Sequence, residues 1–154
     1  MKIKKHKILV AIFFVAYVIL LAYVLFFAEI FGRGQWSEIY RYNFVPFKEI
    51  KIFWKARHTL SFYIVFLNLA GNVLAFVPFG FFLPMLVKGK KKSFPFIFMG
   101  GFLTTCLIEL TQLVAKVGCC DIDDVILNSS GVIIGYIVYA AAKVIDRHFG
   151  KRKA

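Results

Sequence analysis

Four long stretches of the chain are free, or almost free, of charge, and they decide what it can become. Residues 8 to 28 carry no Asp, Glu, Lys or Arg over 21 positions, residues 59 to 87 none over 29, and residues 125 to 142 none over 18. Residues 93 to 115 carry only Glu109 over 23 positions. A helix crossing the ~30 Å hydrocarbon core of a bilayer needs about 20 apolar residues. Only a helix satisfies its own backbone there at such length. Strand-period alternation, the mark of a transmembrane barrel, is absent. The four stretches predict spans at about 8–28, 60–87, 94–114 and 125–143.

Composition agrees. Hydrophobic residues make up 60% of the 154, with 19 Phe, against ~45–50% in soluble domains. A soluble fold of this size has too little interior for that surface. Intrinsic disorder is excluded by the same hydrophobicity. Three Cys cannot staple a secreted scaffold of this length. Lys2, Lys4, Lys5 and Lys7 imitate the basic start of a signal peptide. The apolar run behind them exceeds the ~7–15 residues of a usual signal, so a retained anchor is expected.

The net charge of +12 suggests nucleic acid or a membrane surface. Its placement decides. With the N-terminus in the cytoplasm, 13 of the 20 basic residues fall on the inner side, at 1–7, 88–92 and from Lys143 onward. The other seven fall outside: Arg33, Arg41, Lys48, Lys51, Lys55, Arg57 and Lys116. The positive-inside rule favours this orientation, with both termini cytoplasmic. No nucleic-acid motif is present, so nucleic acid is not an expected partner. Membrane lipids are.

The first outer loop holds more than linker. After Pro46, Phe47, Ile50 and Trp54 share one face, with Phe53 beside them, while Lys48, Lys51 and Lys55 share another. This predicts an amphipathic interfacial helix over about 47–57, with its lysines at lipid headgroups. The second span contains Pro78, which should kink it. The turn at 88–92 makes the second and third spans antiparallel neighbours, and the turn at 118–124 does the same for the third and fourth.

Polar residues within spans are costly and call for a reason. Asn68 and Asn72 lie one turn apart, with Gly71 and Ala75 beside them to permit close approach. Glu109 and Gln112 share a face of the third span. Asp121, Asp123 and Asp124 precede the fourth, where acids complement a helix N-terminus. Asp121, Asp124, Asn128, Gly131 and Gly135 fall on one stripe. Gly131 and Gly135 form a pair that lets another helix pack closely. In the chosen orientation all these polar residues lie between the midplane and the outer surface. They predict a net acidic pocket open to the outer face among the second, third and fourth spans.

Catalytic patterns are missing. His6 and His148 fall on the cytoplasmic side and His58 tops the second span, away from the acids. Ser129 and Ser130 have no His to activate them. Cys119 and Cys120 are adjacent, a strained arrangement for a disulfide, and Cys106 reads as a small core residue. No nucleophile elbow, zinc-protease motif or phosphate loop occurs. No cofactor is expected, and no residue is assigned to catalysis. The acids could still bind a divalent cation or do acid–base work.

Several of these residues also form an ordered pattern. Asn43-Phe44-Val45-Pro46-Phe47 is followed by Asn68-Leu69-Ala70-Gly71-Asn72-Val73-Leu74-Ala75-Phe76-Val77-Pro78-Phe79-Gly80 and Leu83-Pro84. Then come Glu109-Leu110-Thr111-Gln112, Asp121-Ile122-Asp123-Asp124, Asn128, Gly131 and Gly135. In order and spacing the chain resembles the VanZ-like family of small bacterial membrane proteins. The resemblance implies a single all-α, polytopic membrane domain over 1–154 in the plasma membrane. It implies recurring polar positions at Asn43, Asn68, Asn72, Glu109, Gln112, Asp121, Asp123, Asp124 and Asn128. Many members carry an Arg before the acidic turn; here Lys116 is the basic residue of that stretch. The family takes its name from a protein that lowers sensitivity to teicoplanin. The implied partner is therefore a lipoglycopeptide antibiotic or a lipid-linked envelope precursor, held without reaction. A metal-dependent hydrolase or transferase acting on such precursors, and an assembly partner packing through the fourth span, stay open as alternatives. So does the oligomeric state.

The orientation has a direct test. Reporter fusions at residues 1 and 154 should be active on the cytoplasmic side, and one at residue 58 on the outer side. The opposite pattern would invert every assignment of sidedness above.

Overall fold

In the computed structural model, which describes residues 2–27 and 39–150, the chain is a bundle of long helices. The loop charges Glu29, Arg33 and Glu38, and the tail residues Lys151, Arg152 and Lys153, lie outside the described residues. Helix α1 runs Lys2–Phe27, α3 Phe62–Leu86, α4 Phe94–Ala115 and α5 Ile122–Gly150, and the short α2 spans Lys48–Ala56. Four of these are long and apolar enough to cross a membrane. The chain is a multi-pass membrane protein.

One detail differs from expectation. Helix α5 starts at Ile122, so Asp123 and Asp124 lie in its first turn rather than before it. Acidic residues in a first turn complement the helix dipole. Helix α3 continues unbroken through Pro78 and Pro84. A proline within a span is tolerated where packed neighbours compensate the freed backbone group.

Residues that meet across the bundle fix its directions. The Tyr17 hydroxyl donates to the Ala75 carbonyl at 2.7 Å, and Phe14 packs on Phe79, so α1 and α3 are antiparallel. Thr105 meets Asn128 and Gly101 meets Val132, so α4 and α5 are antiparallel too. Gly131 faces Val73 and Gly135 faces Val77, so α3 and α5 run parallel. The most extensive packing joins these two helices rather than a pair adjacent in sequence. A core of Leu21, Leu25, Phe76, Phe79, Ile97 and Val132 fills the space among the four.

Glycine sets the α3–α5 distance. A Cβ on Gly131 would stand 2.1 Å from the Val73 carbonyl oxygen, and one on Gly135 2.0 Å from that of Val77. From the other side, a Cβ on Gly80 would stand 2.1 Å from the Val132 carbonyl oxygen. The sequence did not single out Gly80 for this role. Gly71 was expected at a close approach, yet it faces open space, with nothing within 4 Å of its Cβ position.

The connections are tight. A 3-10 turn over Gly89–Lys92 joins α3 to α4. Helix α4 ends on Lys116 in the left-handed conformation (φ 55). There the Val117 N–H donates to the Gln112 carbonyl at 2.9 Å and the Lys116 N–H to that of Leu113 at 3.1 Å, a Schellman-type close. Gly118, also at positive φ, turns the chain back. It then pairs as β2 (Cys120–Asp121) in parallel with β1 (Tyr42–Asn43), a small addition to an otherwise helical fold.

Substitution of Gly131 by Leu should force α3 and α5 apart and lower the thermal midpoint in detergent, at a cost of about 3 kcal/mol or more. Gly71→Leu should leave the midpoint nearly unchanged. Equal effects would show that the glycine contact does not set the packing.

Candidate functional site

The polar residues gather at one end of the bundle, where α3 and α5 begin and α4 stops, and the three aspartates divide the work there. Asp121, on β2, accepts two hydrogen bonds from the Asn43 side-chain amide on β1, at 3.0 and 3.2 Å. It also accepts the Asp123 N–H at 2.8 Å. Asp123, 1% exposed, accepts the backbone N–H groups of Phe47 and Ile50. Those are the orphan donors at the start of α2, whose own N-cap position, Phe47, offers no side-chain oxygen. An N-cap thus arrives from another helix. Asp124 accepts a hydrogen bond from Asn72 on α3, tying α5 to α3 above the glycine contact.

Beneath these lies a buried polar seam. Thr105, Glu109 and Gln112 occupy one stripe of α4, and all three are buried. Glu109 accepts the Asp121 N–H at 2.9 Å. The Asn128 amide donates to the Thr105 hydroxyl at 2.8 Å. Gln112 reaches α1, donating to the Leu25 carbonyl at 2.9 Å. Among the described residues, Gln112 Oε1, Asn128 Oδ1 and Ser129 Oγ are buried without a hydrogen-bond partner.

Above the seam opens a cleft of about 290 Å³. Its charged and polar lining is Arg41, Glu49, Asn68, Asp121, Asp123 and Asp124. Ile50, Phe53, Leu69 and Leu127 supply an apolar wall. Of the residues expected to form a pocket, Asn68, Asp121, Asp123 and Asp124 line this cleft. Asn43, Asn72, Glu109, Gln112 and Asn128 do not; of these, Asn43 and Glu109 bond to Asp121, and Asn72 to Asp124, from behind the lining. The sequence had placed the opening among three spans, whereas α2 forms one side of it.

Two lining residues were not foreseen. Glu49 sits among the lysines of α2 and reads from sequence as an ordinary helix charge. Arg41 lies in a stretch without periodicity. Lys116, the expected basic residue, is not part of the cleft lining; its ammonium sits over the Tyr40 ring, 4.8 Å from the centroid. The residues of α2 sort differently from expectation as well. Glu49, Ile50 and Phe53 face the bundle, while Phe47 and Trp54 are exposed. Lys48, Lys51 and Lys55 are exposed on the far side.

The cleft has a net negative field. Burial raises the Glu49 pKa above the ordinary carboxylate value, and the nearby Asp121 and Asp123 charges add to the rise. Lys48 and Arg41 oppose it in part. Asp121 is also raised by burial, offset by the bonds it accepts from Asp123 and Asn43. Burial and the adjacent carboxylates push the Cys119 and Cys120 thiols up, which leaves them protonated and poorly nucleophilic. Among the described residues, no group of three or more His, Cys, Asp or Glu side chains is placed to hold a metal ion. The Asp121 and Asp123 oxygens already accept protein donors.

Against known proteins, the family model described as VanZ/LLP1 matches residues 14–143. No curated protein and no solved structure matches the chain.

Loss of the cap should be visible locally. Asp123→Ala should speed hydrogen exchange at the Phe47 and Ile50 amides and destabilise docking of α2 by about 1–2 kcal/mol. Asp123→Asn, which keeps one acceptor, should fall between. Unchanged exchange in both variants would show that α2 is held by its apolar side alone.

Proposed function

The chain belongs to the VanZ/LLP1 family, and on that premise we propose that it works at the outer face of the bacterial plasma membrane, binding an amphiphilic ligand without transforming it. The observation that carries this reading is the mixed lining of one cleft. Four carboxylates and Arg41 face the same space as Phe53, Ile50, Leu69 and Leu127. Carboxylates suit an ammonium group, Arg41 suits a carboxylate or phosphate, and the apolar wall suits a hydrocarbon portion. A zwitterionic amphiphile bearing an amine and a carboxylate or phosphate has all three.

Size narrows the ligand further. The cleft, about 290 Å³, is at the lower limit of the ~300–1,000 Å³ usual for small-molecule sites. It fits one polar group of a larger molecule, with the lipid tail left in the bilayer. A teicoplanin-type lipoglycopeptide or a lipid-linked envelope precursor meets that description, and capture of either would give low-level resistance. Binding is favoured over hydrolysis or group transfer because Asp121 and Asp123 are committed to protein donors. The two thiols nearest the cleft are poorly nucleophilic. Gly131 and Gly135 pack against α3 of the same chain, which leaves no face there for a second protein.

Cells lacking the gene should become more sensitive to teicoplanin and show no change to vancomycin, which has no lipid tail. Restoring the gene with Glu49→Gln should recover only part of the effect. The expected deficit is roughly fivefold in apparent affinity, equivalent to about 1 kcal/mol for a solvent-accessible ion pair. Protein level should stay unchanged. Equal sensitivity to teicoplanin with and without the gene would remove the resistance reading. Complete loss in Glu49→Gln would point to catalysis instead.

A further inference from the structure

We propose that the exposed side of residues 40–57 is a docking surface for anionic lipid headgroups, separate from the acidic cleft. The first argument is depth. Helix α3 has 25 residues, or ~37 Å at 1.5 Å per residue, which exceeds the ~30 Å hydrocarbon core. Helix α2 packs against both α3 and α5, and the cleft it closes is lined by Asn68 and Leu69 of α3 and Leu127 of α5, two turns or less into each helix. That puts α2 beside the ends of the spans, in the headgroup layer.

The second argument is how the segment distributes its side chains. Ile50 and Phe53 take the side of α2 that faces the bundle. Lys48, Lys51 and Lys55 repeat at three and four residues on the side turned away, and all are exposed. Phe47 and Trp54 border this stripe on one edge and Ile52 on the other, again exposed. Upstream, Asn43 turns inward to Asp121, while its neighbours Tyr42 and Phe44 turn outward and stack with centroids 5.4 Å apart. Trp54 is 61% exposed and Phe44 61%, and the Arg57 guanidinium lies 4.7 Å from the Trp54 ring centroid.

The third argument is charge. The outward side of α2 shows Lys48, Lys51 and Lys55 and no acid, because Glu49 is on the cleft side. Aromatic rings beside lysines suit the boundary between acyl chains and phosphates, where rings sit at headgroup level and ammonium groups reach phosphate oxygens. Neutral headgroups would satisfy the rings alone; the lysine stripe selects a net negative lipid.

Trp36 and Trp54 are the only tryptophans, so Trp36→Phe makes Trp54 a single reporter. The full chain in this background is reconstituted into phosphatidylcholine bilayers. These contain equal fractions of either brominated phosphatidylglycerol or brominated phosphatidylcholine. Trp54 fluorescence should be quenched more by the anionic quencher, reporting roughly tenfold local enrichment. Lys48→Gln, Lys51→Gln and Lys55→Gln combined should abolish the excess while far-UV circular dichroism stays unchanged. Lys90→Gln, Lys91→Gln and Lys92→Gln, at the other end of the bundle, should leave it intact. Equal quenching by both lipids, or an excess that survives the outer triple substitution, would overturn the proposal. A chain that shows the lipid preference but leaves teicoplanin sensitivity unchanged would sink the ligand reading and leave this one standing.

Discussion

The contact between α3 and α5 is the constraint from which the rest of the structure follows. Three glycines let two parallel helices approach until carbonyl oxygens occupy the places where Cβ atoms would be. In a bilayer, no difference in hydrophobicity drives helices together, so close van der Waals packing and polar contacts must do it. The glycine contact provides both, since it brings Asn72 within hydrogen-bonding reach of Asp124. It also aligns the N-termini of α3 and α5 at one end. The acidic first turn of α5 is thereby placed beside the amide-bearing turns of α3.

From that end, structure is passed outward by backbone bonds rather than by a larger core. Asp121 holds β1 through Asn43, and Asp123 holds α2 through its first amides. A helix of nine residues is too short to be stable alone. It exists here because a carboxylate from another helix satisfies its start and Ile50 and Phe53 cover one side. The cleft is the space left under a helix attached in this way. The buried carboxylate of Glu109 supports the arrangement from below by fixing the Asp121 amide. Gln112 carries the same seam across to α1.

The spans were legible because their signal is composition over twenty residues, which no local detail can erase. The glycine pair on α5 was legible for a related reason, since small residues at i and i+4 define a face. Gly80 was not, because its partner lies on a helix more than forty residues away and only the parallel pairing reveals it. Asp123 read as an ordinary capping residue of its own helix, yet it caps α2. A sequence shows that an acid suits a helix N-terminus without saying which one. Glu49 and Arg41 were missed because nothing in the surrounding pattern separates a cleft-facing charge from a solvated one. Trp54 was expected to share one interfacial face with Ile50, yet Ile50 lines the cleft and Trp54 is exposed. The bundle took the neighbouring angle, toward Phe53 and Glu49.

These distinctions change what the acidic cluster means. Read from sequence, three aspartates within four residues form an acidic pocket lining that leaves cation binding and acid–base work open. In the structure, Asp123 accepts the first amides of α2, and Asp121 accepts a side-chain amide and a backbone N–H. Their hydrogen-bonding capacity is largely consumed, but their charge is not. Its effect appears at Glu49, whose pKa is raised in part by Asp121 and Asp123, while Arg41 only partly compensates. The site therefore presents a diffuse negative field bounded by an apolar wall. On the proposed reading, that field attracts a ligand amine while the apolar wall beside it receives the hydrocarbon portion.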